Sequence, residues 1–277
     1  MRATSRSRPS PSARCPTTIP GMRPRGGSGS RARSSESVSR RSMGDSLMTS
    51  DANRRMFDRL APRYDRLNRL LSLGLDRGWR RREAEALEPR TGEHYLDIGC
   101  GTGDVALEIL RQAPGCRVTG LDPSRQMLAV AAAKAARAGV ADRLRLASGS
   151  VAALPFADGA LNGITSAFAL RSFTDRARAF REMRRVLAPG GRLSLLELTG
   201  PSHRLSRAGY WLYTRTFGAL VCWLVCGAVG PYRFLCQSVD RFPAAGIPAE
   251  LGAAGFQAAR RRSLSGGIAT LYLAHAP

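Results

Sequence analysis

Tyr95-Leu96-Asp97-Ile98-Gly99-Cys100-Gly101-Thr102-Gly103-Asp104 carries an apolar run into an acid, then three glycines at alternate positions, then the start of a helical pattern. A buried parallel strand that runs into a tight turn and a helix N-terminus has this order. The glycines let the backbone take positive φ and let a ligand come close to it. The spacing is G-x-G-x-G, which differs from the dinucleotide fingerprint G-x-G-x-x-G. A second acid, Asp122, closes the next apolar run, Val118-Thr119-Gly120-Leu121. It lies about 20 residues on, the offset at which an acid meets ribose hydroxyls in nucleoside-binding α/β folds.

Strands and helices alternate outward from this point. Strands are expected at 94–98, 117–121, 144–147, 163–168 and 192–198, and helices at 105–112, 125–138 and 175–187. Ala188-Pro189-Gly190-Gly191 reads as a turn. Such alternation implies right-handed crossovers and a parallel sheet covered on both faces. The last third departs from it, with a largely helical insertion over 203–242 and a short helix near 248–254. Strands at 256–263 and 268–275 follow, joined by the hairpin-type turn Ser265-Gly266-Gly267. The expected fold is α/β, a Rossmann-like doubly wound sheet, mostly parallel with a C-terminal antiparallel hairpin and helices on both faces. Before it, Met56, Phe57, Leu60, Tyr64, Leu67, Leu70 and Leu71 recur at helical spacing, and a further helix runs from Trp79 to Leu87.

The chain has 277 residues, 43% of them hydrophobic, enough for a real core, and a net charge of +22. That charge permits nucleic acid or an anionic membrane as partner. It is unevenly spread, however. Residues 1–50 hold ten Arg against Glu36 and Asp45, which leaves +14 on the rest, and Lys134 is the only lysine. An Arg-dominated, Ala/Gly/Pro-rich composition fits GC-rich coding as well as it fits selection for a partner, so the charge is discounted. Residues 1–50 lack apolar periodicity and are expected to be a disordered extension. They contain no secretory h-region. An over-extended start before Met43 or Met48 is the favoured reading, ahead of a disordered tail and an organellar transit peptide. The folded part is expected over 51–277. No C-x-x-C pair occurs among the six cysteines, and no zinc site or other metal site is expected. Cys100 inside the glycine loop suits a reduced, cytoplasmic setting.

The 95–104 stretch with Asp122 resembles the cofactor motif of class I S-adenosylmethionine-dependent methyltransferases. The resemblance implies that Asp97, Gly99, Gly101, Thr102 and Gly103 face the cofactor and that Asp122, with Pro123, takes the ribose. Ser150, Val151 and Ala167 fall at its other cofactor-side positions. Four further stretches narrow the resemblance: Tyr64-Asp65-Arg66-Leu67-Asn68 with Met56-Phe57-Asp58 and Ser72-Leu73-Gly74; Ala153-Leu154-Pro155-Phe156; Phe168-Ala169-Leu170-Arg171-Ser172-Phe173; and Pro231-Tyr232-Arg233-Phe234-Leu235 with Phe242-Pro243 and Gly266-Gly267-Ile268-Ala269. From about Asn53 onward the chain is similar to the ubiquinone/menaquinone biosynthesis C-methyltransferases. These methylate a ring carbon of a prenylated quinol, here most simply demethylmenaquinol or its ubiquinone-pathway equivalent.

The resemblance makes residues 51–90 a helical lid and 203–242 a substrate-side insertion, with Tyr64, Asp65 and Tyr232 on the substrate side. Arg171 matches the arginine of the family's Leu-Arg-Asn motif. Its guanidinium is too weak an acid to be a useful base, so the expected role is electrostatic, toward a developing phenolate. Five positions depart from the pattern: Ser172 stands where the family has Asn, Ala167 where it often has Ser, Ser150-Val151 where Asn or Asp plus Ala is common, and Gln237 where an acid is common. From Phe217 to Gly230 the chain is uncharged. At ~1.5 Å per residue it reaches only ~21 Å, short of a ~30 Å bilayer core. This stretch reads either as a buried cover or as a port for a polyprenyl tail at the membrane surface. The expected partners are the prenylated quinol and the membrane's inner face, with a homodimer left open; no nucleic acid is expected. The alternatives are methylation of another phenol, sterol or lipid and, more remotely, RNA binding or methylation, against which no base-methylation motif or RNA-binding module is found. His94, His203 and His275 are the only histidines, and none is singled out.

Overall fold

A computed structural model describes residues 50–277, apart from Ser202 and Ala228. The expectations for the N-terminal extension therefore lie outside the described residues. Seven strands form one sheet: β1 (His94–Ile98), β2 (Arg117–Leu121), β3 (Leu144–Ala147), β4 (Leu161–Ala167), β5 (Leu187–Leu198), β6 (Gln257–Leu264) and β7 (Ala269–His275). Their order is β3-β2-β1-β4-β5-β7-β6. The first five are parallel, and β7 runs antiparallel between β5 and β6. The β6–β7 turn carries Gly266 at φ 69°.

Side chains alternate across the sheet, and the two faces build two cores. Leu96, Ile164, Leu195 and Tyr272 face α6 (Arg176–Val186) and α10 (Ile247–Ala253), through Phe180, Met183 and Leu251. Their chain neighbours Tyr95, Leu196 and Leu271 face the other way, toward Trp79 and Ala84 of α3 (Leu75–Glu85) and Ile109 and Leu110 of α4 (Asp104–Gln112). Helix α5 (Arg125–Arg137) is capped by Ser124, whose hydroxyl oxygen accepts the Met127 N–H. Asp175 caps α6 in the same way, accepting from Arg178 N–H.

One segment differs from the sequence reading. The expected turn 188–191 is absorbed into a longer β5, with a register break opposite Leu161 and Gly163. Gly190 sits there at φ 72°. Proline and glycine interrupt the pairing without ending the strand.

The elements that shape the site lie outside the two cores. Helices α1 (Ser50–Leu60) and α2 (Tyr64–Leu71) precede α3. The expected insertion forms α7 (Arg204–Tyr213), a π turn over Thr214–Gly218, α8 (Ala219–Cys226) and α9 (Gly230–Asp240). Leu67, Val221, Cys222 and Tyr232 make a third, smaller core between α2, α8 and α9. Gly218 is required there, because a Cβ on it would lie 1.9 Å from the Tyr232 hydroxyl. No helix among the described residues is long and apolar enough to cross a membrane.

Candidate active site

β1 and β4 are neighbours, and their following connections diverge. The crevice between them is the topological switch point where open α/β sheets take ligands. The loop after β1 is the glycine stretch, with Gly99, Gly101 and Gly103 at φ 66°, 53° and 81°. The loop after β4 starts with Phe168, a non-glycine residue at φ 61°. Strain of this kind concentrates at functional sites. The two loops touch, and a Cβ on Gly99 would fall 2.5 Å from that of Ala169.

A cavity of about 330 Å³ opens in this crevice. Of the residues expected on the cofactor side, Gly99, Gly101, Asp122, Pro123, Ser150, Val151 and Ala167 line it, as do Phe57, Tyr64 and Ser172. Asp122 Oδ2 accepts from Gly101 N–H (2.9 Å) and Oδ1 from Ser124 N–H (2.8 Å). A carboxylate offers about four lone-pair sites, so two remain for hydroxyl donors. Burial pushes its acid up.

Asp97, Thr102 and Gly103 are not in the wall. Asp97 is buried behind the loop, and neither carboxyl oxygen makes a well-aligned hydrogen bond among the described residues. Burial raises it to about 7, against the opposing pull of Arg80. Glu83 lies in the same buried acidic region, is likewise raised by burial, to about 8, and accepts from the Thr165 hydroxyl at 2.6 Å. Gly103 packs on Ala131, 3.1 Å from where its Cβ would be.

Thr102 donates instead to Asp65 Oδ1 at 2.6 Å. Asp65, expected on the substrate side, sits outside both cavities and pairs with Lys134 Nζ at 2.9 Å. Lys134 also binds Asp104. The only lysine of the chain thus ties α2 to the start of α4. Further along, the Ser124 hydroxyl donates to Asp58 of α1 at 2.6 Å. Asn53 donates to Ser172 Oγ at 3.3 Å, the position where the family's Asn is replaced.

A second cavity, of about 380 Å³, adjoins the first and shares Asn53, Phe57, Tyr64, Phe168, Ser172 and Phe173 with it. Its wall is mostly apolar, built from α1, α2, α3 and the insertion. Arg171, Tyr64 and Tyr232 all line it, and so does Tyr210. Arg171 is nine-tenths buried, its Nη1 2.9 Å from Oε1 of Glu197, although not aligned for a hydrogen bond. Glu197 is fully buried at the end of β5 and accepts the N–H groups of Arg171 (3.1 Å) and Leu198 (2.8 Å). Burial raises its acid, and Arg171 opposes that rise. Burial also pushes the Tyr210 phenol up to about 12.

Phe168 forms the partition between the cavities, with Trp79 edge-on at 6.4 Å and the Arg80 guanidinium 4.9 Å from its ring centre. Of the remaining departures, Ala167 lines the first cavity while the serine beside it, Ser166, donates its hydroxyl to Ile98 O at 2.7 Å, and Gln237 is exposed and outside both cavities. Sequence reasoning missed Glu197, whose signal was a lone acid inside Leu195-Leu196-Glu197-Leu198. It also missed Lys134, although it had noted that lysine as the only one.

Residues 47–276 match the model of the ubiE/COQ5 methyltransferase family. The chain belongs to that family. It is 41% identical to a demethylmenaquinone methyltransferase of Thermus thermophilus over 80% of this chain and all of that one. It is 39% identical to a ubiquinone/menaquinone biosynthesis C-methyltransferase of Geobacter sulfurreducens, over 79% and 86%. Among solved structures, an S-adenosyl-L-methionine-dependent methyltransferase of Methanococcus maripaludis superposes with a TM-score of 0.56 at 19% identity, covering 79% of this chain and 93% of that one. That likeness is one of fold. By its family, this chain is a methyltransferase.

Proposed function

We propose that the chain moves a methyl group from S-adenosylmethionine to a ring carbon of a reduced, prenylated quinone. Demethylmenaquinol is the acceptor that the Thermus relative's name favours. The observation that carries this reading is the pair of adjoining cavities: one lined by the glycine loop and Asp122, the other apolar and lined by Arg171.

The residues of the first cavity fit S-adenosylmethionine. Asp122 has free acceptor sites for a ribose diol, and the glycines at 99 and 101 leave the cavity wall there without side chains. When bound, this group supplies an electrophilic methyl on sulfur. The protein's own contribution is placement and charge. The strained Phe168 loop and the α1–α2 contacts to Ser124, Ser172 and Thr102 hold the two cavities in fixed relation, the kind of positioning worth several kcal/mol. Arg171 faces the apolar cavity from a buried site, where a cation stabilises a developing phenolate far better than it would in water. Glu197 keeps that guanidinium in place.

The acceptor's tail needs an apolar route. On α8, Val221 and Cys222 face inward, while Leu220, Trp223 and Leu224 are more than half exposed. Leu70 and Leu73 near α2, and Trp211 and Leu212 on α7, are exposed as well. Arg215 stacks on Trp211 at 4.3 Å. An apolar rim with cations beside it suits a peripheral position on an anionic bilayer. The experiment is methyl transfer to a panel containing a reduced short-chain demethylmenaquinone, simple phenols, a sterol and RNA. Transfer to the quinol alone supports the reading; preference for another acceptor overturns it.

A further inference from the structure

Asp76 has no part in the scheme above. Among the described residues that line the apolar cavity it is the only carboxylate, as Arg171 is the only permanent cation. Its side chain is 4% exposed. The fold holds it through one oxygen. The Ser72 hydroxyl donates to Oδ1 at 2.9 Å, and the Asp76 N–H donates back to Ser72 Oγ at 3.2 Å. Arg69 of α2 lies 3.8 Å from Oδ1, and Arg80 of α3, with Asp104 of α4 behind it, lies 3.9 Å from Oδ2. Those separations are too long for hydrogen bonds. They balance the charge of the carboxylate without using its lone pairs, and Oδ2 has no hydrogen-bond donor among the described residues.

Carbon methylation of a quinol asks for such a group. A neutral quinol hydroxyl is a poor donor of electrons to the ring. Arg171 stabilises negative charge but takes no proton, and among the described residues no histidine lines the cavity. We propose that Asp76 is the general base of the reaction, receiving on Oδ2 the proton of the quinol hydroxyl next to the reacting carbon. This rests on the quinol reading above. As the proton leaves, the oxygen's electron pair moves into the ring. The new carbon–carbon bond forms while the sulfur–methyl bond breaks, and sulfur keeps that pair. The ring carbon then loses its own hydrogen as a proton, and the protonated Asp76 returns one to the oxygen. The products are the methylated quinol, S-adenosylhomocysteine and one proton released.

The test compares full-length wild type and Asp76→Asn on a short-chain demethylmenaquinol and on a ring-halogenated analogue with a more acidic hydroxyl. S-adenosylmethionine affinity is measured beside them. The expected result is a kcat lower by ~10²–10⁴-fold on the ordinary quinol, the range of a lost general base. The deficit shrinks by about tenfold or more on the acidic one, which needs less help, and cofactor affinity is unchanged. A kcat near wild type, or an equal deficit on both quinols, overturns the assignment. Should Asp76→Asn not fold, Ser72→Ala keeps the carboxylate and removes its donor. Its kcat deficit is then smaller on the acidic quinol than on the ordinary one, and an equal deficit on both refutes the proposal. A wild type that binds cofactor and methylates no quinol refutes the quinol reading itself. An active wild type matched by Asp76→Asn refutes Asp76 alone.

Discussion

Arg171→Ala separates two jobs that one side chain performs. The guanidinium lies in the cavity wall and 2.9 Å from a fully buried Glu197. Removing one partner of a buried ion pair costs about 3–5 kcal/mol when the other charge is left alone. Here Glu197 keeps two backbone N–H donors, each such charged bond being worth about 1.5–3 kcal/mol. The expected loss is therefore at the lower end, about 2–4 kcal/mol at neutral pH. It also depends on pH in a definite sense. Burial already raises the Glu197 acid and Arg171 lowers it, so without Arg171 the folded-state value climbs further. The folded variant then holds a proton that the unfolded chain releases, and the penalty grows as pH rises above the unfolded carboxylate range and fades below it. Arg171→Met with Glu197→Gln removes both charges and should recover most of the stability. It should not recover turnover, because the phenolate has lost its cation, an effect worth ~10²–10³ in kcat. The assay is urea unfolding at acid and neutral pH, alongside methyl transfer to a short-chain quinol. A pH-independent penalty would refute the account of Glu197. Normal turnover in the double variant would refute that of Arg171.

Three other outcomes are expected. Glu83 and Asp97, raised by burial to about 8 and about 7, hold protons in the folded chain that the unfolded chain has lost, so each should cost ~1.4 kcal/mol of stability per pH unit as pH rises between about 5 and 7. Glu83→Gln, which keeps an acceptor for Thr165, should flatten that slope in urea titrations; an unchanged slope would contradict the buried acid pair. Gly99→Ala combines a left-handed backbone with a 2.5 Å clash on Ala169; about 1–2 kcal/mol from the first and 1–3 from the second should lower the unfolding midpoint and weaken cofactor binding, and a neutral result would mean that the two loops do not touch. Trp223→Ser with Leu224→Ser, both exposed, should leave stability and turnover of a short-chain quinol intact while cutting co-sedimentation with anionic vesicles by about tenfold or more; unchanged sedimentation would place the membrane contact elsewhere.

The parallel sheet was legible because its signals are local. Apolar runs bounded by glycine and acid placed β1, β2 and β3 to the residue. The pattern was weaker wherever the outcome depended on contacts between distant segments. Pro189 and Gly190 read as a turn, yet pairing with β4 and β7 carries β5 through them. Asp65 stands next to Tyr64 in sequence, but on a helix adjacent residues point apart, and Asp65 turns to Thr102 and Lys134 while Tyr64 lines both cavities. Glu197 and Asp76 looked like ordinary acids. The burial of Glu197 comes from β5 meeting the 170–172 turn, which leaves no periodic trace, and Asp76 takes its partners Ser72, Arg69 and Arg80 from the α2–α3 corner. Positive φ at Phe168 has no residue-type signal, since phenylalanine rarely adopts it.

The central claim is methylation at carbon on a reduced quinol. The most direct measurement supplies the full-length chain with S-adenosylmethionine labelled at the methyl carbon and a short-chain demethylmenaquinone, with and without reductant, and reads the product by carbon NMR. The account predicts label on a ring carbon, formed only under reducing conditions. Label on oxygen as a methyl ether, or no transfer by a chain that binds the cofactor, would contradict it.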